Sequence, residues 1–332
     1  MMEETNPISD PAVSAGGTAE GAAGGATRAK SQATTHATGH QKLLGHLAGL
    51  AFAMIIAGSF SIGHLAAPHL SPAALNAIRF VLAALVMLGV NLALFGKWPS
   101  LPPAPWRFAI IGGMMAIYFL TMFIALKITN PVSTGAVFTL IPLISAGLGW
   151  LLLRQVTGSV VLASLLIAAA GAIWVIFNGD PQAILGFRIG RGEAIFFIGC
   201  VGHAAVAPLV RLFNRGEHGA YFTLCTVTAT MVWLLLAGIG DLVTVDFAAL
   251  PGIVWLAIGY LAIFATAGTF FLVQYASMRL PASKVLSYGY LTPFFIILIE
   301  GALGHGWVAA SVMAGALVTA LALAVMAFAP DG

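Results

Sequence analysis

From Leu43 onward the chain is a succession of apolar runs, each about 20 residues long. That is the length at which an α-helix, rising about 1.5 Å per residue, crosses the roughly 30 Å hydrocarbon core of a bilayer. Ten windows meet this description: 43–66, 73–96, 105–126, 131–153, 159–178, 192–213, 218–240, 250–275, 281–303 and 307–329. The fifth, seventh, eighth and tenth carry no Asp, Glu, Lys or Arg. In hydrocarbon every backbone N–H and C=O must be paired within the protein, so a spanning segment is a helix or a strand of a closed barrel. Barrel strands alternate apolar and polar residues over about ten positions. These runs are apolar on every side, which predicts an all-α membrane protein with ten transmembrane helices. A soluble fold is excluded by charge: 8% of the 332 residues are Asp, Glu, Lys or Arg, against roughly 25% in soluble domains.

The breaks between windows carry helix-stopping residues, among them Pro68 with Pro72, Pro102-Pro103, Asn130-Pro131, Gly179-Asp180-Pro181 and Pro281. Residues 1–42 are of another kind. They contain no Leu, Phe, Trp or Tyr and cannot bury enough apolar surface to offset their ordering entropy, so a disordered cytoplasmic tail is expected there. Its acidic opening, Met1-Met2-Glu3-Glu4, is unlike a signal peptide. His36, His40 and His46 are read as chance spacing rather than as a metal site.

Short-loop Lys and Arg set the orientation. With the N-terminus in the cytoplasm, that side holds Arg28, Lys30, Lys42, Lys97, Arg107, Arg154, Arg211, Arg215 and Arg279, and the far side only Lys127, Arg188 and Arg191. Ten spans then return the C-terminus to the cytoplasm. The expected location is the cell (inner) membrane.

The two halves echo each other. Pro131-Val132-Ser133 and Pro281-Ala282-Ser283 each open a span that carries a second proline, Pro142 or Pro293. Ser164 and Gly171 follow Pro142 at the same distances at which Gly315 and Ala322 follow Pro293. Small residues seven apart lie on one helix face, where two backbones can approach closely. Five spans per half is odd, so the second copy enters the bilayer from the opposite side. The expected architecture is two inverted five-helix repeats, 43–178 and 192–329. Such repeats place a substrate site near the midplane between the halves.

Several stretches are similar to the EamA-type transporters of the drug/metabolite superfamily. They are Gly58-Ser59-Phe60 through Ala77-Ile78-Arg79-Phe80, Ala125-Leu126-Lys127 through Pro142, the Ser164–Gly171 spacing, and Pro281 through Tyr290-Leu291-Thr292-Pro293. The family usually has a glutamate thirteen residues after each span proline; Gln155 and Gly306 stand there instead. The resemblance implies a secondary transporter, often an exporter of amino acids, other metabolites or drugs, with a central cavity.

A charge inside the membrane is costly, from about 2.5 to more than 10 kcal/mol at the bilayer centre, so it faces the protein interior and invites a functional reading. Arg79 lies two turns into the second span and Glu300 near the outer end of the ninth, both toward the same face, where they could pair or form half of a gate. Lys284, one turn inside its span, can snorkel to the interface. His64 and His203 occupy equivalent spans of the two halves and can exchange protons. Arg79, Glu300 and His64 are the coupling or gating candidates. A proline within a span frees a carbonyl, which needs a partner or a wet cavity, so the fourth and ninth spans are read as cavity walls. The cavity candidates are Tyr118, Phe138, Pro142, His203, Gln274, Tyr288, Tyr290 and Pro293, aromatic and polar groups of the kind that line small-molecule sites. Each also has a structural reading, as an interface marker or a helix contact.

Other chemistry lacks its motifs. There is no GxxxxGK[ST], so ATP does not drive the chain directly. The only cysteines, Cys200 and Cys225, form no CxxC, and no cofactor or metal is expected. A scattered net charge of +3 argues against a nucleic-acid partner. The reading is a non-enzymatic secondary transporter working by alternating access on a small metabolite, amino-acid-like compound or drug. Its partners are that substrate, membrane lipids and, as coupling ion, protons. An uncoupled facilitator is one alternative. An intramembrane enzyme built on Ser59, Ser61, His64 and His203 is the other, and no GxSxG elbow supports it.

Overall fold

The computed structural model describes residues 39–328 except 278, 281–284 and 286; at 274, 277, 323, 324 and 326–328 it describes the backbone alone. The expectations for residues 1–38 and for Pro281, Ser283 and Lys284 lie outside the described residues. Among the described residues, all regular structure is helical.

The first span is α1 (Gly39–Ala66). It starts four residues before the apolar run, because its first turn is held from outside: Arg279 Nε donates to Gln41 Oε1 at 3.0 Å. The tail boundary expected at residue 42 therefore falls inside a helix. α2 (Pro72–Phe95) opens with Ser71 accepting from the Ala74 amide at 3.1 Å and with proline at its first position, and closes on Gly96 at φ 63°. α3 (Trp106–Leu126) follows. The fourth window is two helices, α4 (Pro131–Phe138) and α5 (Ile141–Leu153). Next come α6 (Ser159–Ile176), a short α7 (Pro181–Leu185) that apolar patterning missed, α8 (Arg191–Phe213) and α9 (Gly219–Leu242). The eighth window is α10 (Gly252–Ala262), a π-helical turn (Ile263–Gly268) and α11 (Thr269–Ser277). A 3₁₀ turn (Tyr288–Leu291) leads into α12 (Thr292–Ala302), and α13 (Ala310–Phe328) ends the described chain. Eight stretches, from Gly39–Ala66 to Gly252–Val273, are long and apolar enough to cross a membrane; Tyr288–Ala302 and Ala310–Ala322 are shorter apolar helices.

The span prolines do not act as expected. Pro142 and Pro293 each sit in the first turn of a new helix, where the missing N–H has no intrahelical acceptor in any case. Around Pro142 the backbone closes on itself through tight turns: the amides of Thr139 and Leu140 donate to Ala136 and Val137 oxygens at 3.1 Å, and Thr139 Oγ1 to Ala136 O at 2.7 Å. The fourth span breaks there, and the Ala136 and Val137 carbonyls are paired within the turn.

Packing in lipid gains little from the hydrophobic effect between helices and rests on close contact and interhelical hydrogen bonds, the latter worth about 0.6 kcal/mol each on average. α3 packs along α8 and α10–α11 along α1. α9 lies on α3 and α10 on α2. α4–α5 lie on α8 and α12 on α1. α2 faces α9, α4 faces α12 and α6 faces α13. The α6–α13 contact is the small-residue seam read from the sequence. A Cβ on Gly171 would come within 2.7 Å of the Gly315 carbonyl oxygen, and Ser164 Oγ donates to Ala322 O at 2.7 Å. Side chains tie other pairs to backbone carbonyls: Asn91 Nδ2 to Ala220 at 3.1 Å, Trp233 Nε1 to Ala109 at 2.9 Å, and Tyr260 Oη to Ile55 at 2.9 Å.

The two ends of the bundle differ. At one, Arg107 is 1% exposed yet fully engaged. It donates to the Phe213 carbonyl, to Pro103 O at 2.6 Å, to Ala104 O at 3.3 Å and to Glu217 Oε1 at 2.7 Å. Gln155, where a glutamate was expected, accepts from Arg211 at 2.9 Å beside it. At the other end, Thr129 Oγ1 donates to Glu193 Oε1 at 2.5 Å and Trp174 Nε1 to Ser311 O at 2.8 Å. Residues 97–107 and 178–192 thus lie at opposite ends.

Gly171→Leu should lower stability by about 1–3 kcal/mol through overpacking, read as an earlier unfolding midpoint in detergent. A second expectation concerns pH. The Arg107 guanidinium holds the Glu217 carboxyl below its usual 4.5. A lowered folded value stabilises the fold above pH 4.5, and that stabilisation is lost as pH falls from there through the lowered value. Glu217→Gln should therefore unfold earlier than wild type at about pH 6 and differ less from it at about pH 3, as thermal unfolding at the two values would show.

Candidate functional site

Four helices bring aromatic rings to one place in the bundle. α8 presents Phe196, Cys200 and His203 on one face, at helical spacing. α3 presents Tyr118 and Phe119, α4 ends on Phe138, and α1 contributes Phe60. Tyr118 is the hub, with ring centroids 4.6 Å from His203, 5.4 Å from Phe196 and 4.9 Å from Phe119. Phe138 is 6.4 Å from His203 and 5.7 Å from Phe60. The break after Phe138 ends α4 at the height of His203, which is how a broken span positions a ring.

Arg79 of α2 completes the cluster. Its Cζ lies 4.3 Å from the Phe119 centroid and 5.3 Å from that of Phe80, a cation–π arrangement. Its one polar contact among the described residues is long: Nη2 donates to Thr266 Oγ1 at 3.4 Å. Thr266 sits in the π-helical turn, donating in turn to Leu261 O at 2.9 Å. Single-turn π segments inside α-helices occur mostly at functional positions. Arg79 Nε and Nη1, and His203 Nδ1, are buried with no hydrogen-bond partner.

Of the cavity residues read from the sequence, Tyr118, Phe138 and His203 meet. Tyr288 and Tyr290 do not join them. Tyr288 Oη lies 2.5 Å from His46 Nδ1, and its ring packs over Gly49. Tyr290 points the other way, into Leu165, Ala168 and Ala322. Two positions apart on a tight turn, they are splayed to opposite sides. Pro142 and Pro293 start helices behind the cluster, and the side chain of Gln274 lies outside the described residues.

The gating residues divide. Arg79 and Glu300 do not pair, contrary to expectation. Arg79 faces α3 and the π turn, whereas Glu300 turns into a cavity of about 580 Å³ at the end of the bundle that holds Asn130 and Trp307. There Glu300 Oε2 is 2.7 Å from His305 Nδ1, and Glu300 Oε1 is buried with no hydrogen-bond partner. His64 lines the same cavity, its Nδ1–H donating to Leu126 O at 2.7 Å. His305, in the loop after α12, is thus the partner of Glu300. Sequence reasoning also missed Glu193, which is 7% exposed and accepts from Thr129 and from Ser133 Oγ at 2.7 Å. Its place in a helix's first turn reads as an ordinary dipole-matched acid; only packing turns it inward onto α4. Among the described residues no cluster of three or more His, Cys, Asp or Glu could hold a metal.

Comparison with known proteins adds three findings. Residues 43–177 match the EamA-like transporter family. The uncharacterized transporter YyaM of Bacillus subtilis (strain 168) is 26% identical over 261 residues, covering 77% of this chain and 84% of its own. A solved structure described only as the crystal structure of a protein has the same fold, with a TM-score of 0.60 at 20% identity over 86% of this chain and 96% of its own. Residues 43–177 of this chain are thus similar to an EamA-like transporter domain, and its long apolar helices make it a multi-pass membrane protein.

Proposed function

We propose that the chain is a secondary active transporter that exports a small metabolite, an amino-acid-like compound or a drug by alternating access. In this reading it spans the inner membrane ten times as two inverted five-helix repeats, with both termini in the cytoplasm. One observation carries it: the helix neighbours exchange in register. Taking the spans in chain order, the third packs on the sixth as the eighth packs on the first. The seventh lies on the third as the second lies on the eighth, and the fourth on the sixth as the ninth on the first. The second and seventh, fourth and ninth, and fifth and tenth face one another. Exchanging the halves maps each of these principal contacts onto another of them, as a repeat around a shared path requires.

The aromatic cluster lies on that path, drawing Arg79, Tyr118 and Phe138 from the first half and His203 and Thr266 from the second. Alternating access needs an element that switches between two states. The Glu300–His305 contact supplies one at the bundle end: the carboxylate shares a bond with a titratable imidazole, and His64 lines the same space. Uptake and release of a proton there would couple opening of that end to a pH gradient.

Proteoliposomes with an imposed pH gradient test the coupling. Glu300→Gln should leave substrate exchange measurable and abolish its dependence on the gradient, with His203→Ala examined alongside. Exchange and pH dependence both surviving Glu300→Gln would refute the role of Glu300. Counterflow in the wild type that ignores pH and sodium gradients would identify an uncoupled facilitator instead.

A further inference from the structure

We infer that the substrate of the central site is an organic monocarboxylate with an apolar or aromatic body, and that the Arg79 guanidinium binds its carboxylate. The inference rests on the transporter reading above and narrows it to a chemical class.

The two buried arginines are matched unequally. Arg79 and Arg107 are the two largest side chains buried below 2–3% exposure, at 2% and 1%. Arg107 meets four acceptors, one of them a carboxylate. Arg79 meets one hydroxyl at 3.4 Å, and two of its three nitrogens have no acceptor. Among the described residues no carboxylate pairs with it. A buried cation in a membrane protein is normally matched by an anion, a carbonyl or water. The fold meets that requirement at Arg107 and leaves it open at Arg79, inside the cluster where the two halves meet.

The surroundings state what would fill it. Guanidinium presents planar donor pairs that match a carboxylate. Among the described residues no second positive group stands at this cluster, and one cation balances one negative charge, which favours a monoanion over a phosphate. Among the described residues no acid stands near to receive an ammonium group, which favours a simple acid over a zwitterion. Beyond the guanidinium lie the Phe119 and Phe80 faces and then Tyr118, His203 and Phe138, a wall suited to an apolar or aromatic body. Thr266, placed by the π turn, holds the guanidinium in line, and its weak bond is easily exchanged for a charge-assisted one.

The test uses the purified full chain in detergent with benzoate, phenylacetate and butyrate, each against its amide, by thermal unfolding. The acids should stabilise the protein at concentrations about tenfold lower than the amides, the ratio expected of one charge-assisted hydrogen bond. Arg79→Gln should erase the difference. Arg79→Lys, which keeps the charge but not the planar geometry, should reduce it, and serves where Arg79→Gln fails to elute as a single folded species. Acids and amides acting equally, none of the acids binding, or a difference that survives both variants would overturn the inference. Phenylacetate counterflow in proteoliposomes separates it from the reading beneath it. Arg79-dependent binding without flux would refute transport and keep the anion site. Flux of neutral or cationic solutes unaffected by Arg79→Gln would refute the anion site and keep transport.

Discussion

In hydrocarbon a backbone amide or carbonyl without a partner costs several kcal/mol, so each interruption of a spanning helix must be closed where it occurs. This chain interrupts three spans: at Thr139–Leu140, at the π turn Ile263–Gly268 and at the 3₁₀ turn Tyr288–Leu291. At each, local hydrogen bonds of altered register form among the described residues. The consequence is positional. The first break leaves Phe138 against the His203 face, the second delivers Thr266 to Arg79, and the third sends Tyr288 and Tyr290 to opposite sides. The irregular turns are what aim side chains at the shared path.

The buried polar groups are of two kinds. Arg107, Ser133, Ser164 and Glu193 are bonded, and each fastens one element to its neighbour. Arg79, His203 and Glu300 each keep a buried polar atom without a partner, and these three lie along the line from the aromatic cluster to the cavity at one end. An unmet donor or acceptor in low dielectric is a standing cost, and it falls also on Ser61, Asn76, Asn91 and Thr292.

Much of the fold was legible because bilayer thickness imposes one length on every span. Eight of the apolar windows match helices long enough to span, to within a few residues at most ends, and the Ser164–Gly171 and Gly315–Ala322 spacing marked the seam where α6 meets α13. Errors came where hydrophobicity carries no signal. The first turn of α1 is polar and is held by Arg279; α7 is five residues long and begins at a proline capped by Asp180. The prolines were recognised as breaks, but the sequence does not say which carbonyls a tight turn will reclaim.

The site was legible by residue type and not by partnership. A charge or an imidazole in an apolar run announces itself, so Arg79, His203 and Glu300 were found by composition alone. Their partners were not: Glu300 meets His305 across a turn, Arg79 meets aromatic faces and Thr266, and Glu193 swings onto Ser133. Apolar length and small-residue period determine which segments are helices and where two can touch, since both follow from local geometry along one axis. The rotation of each helix about that axis is set by packing against several neighbours at once. That rotation alone decided which polar atoms meet and which are left facing the path between the halves.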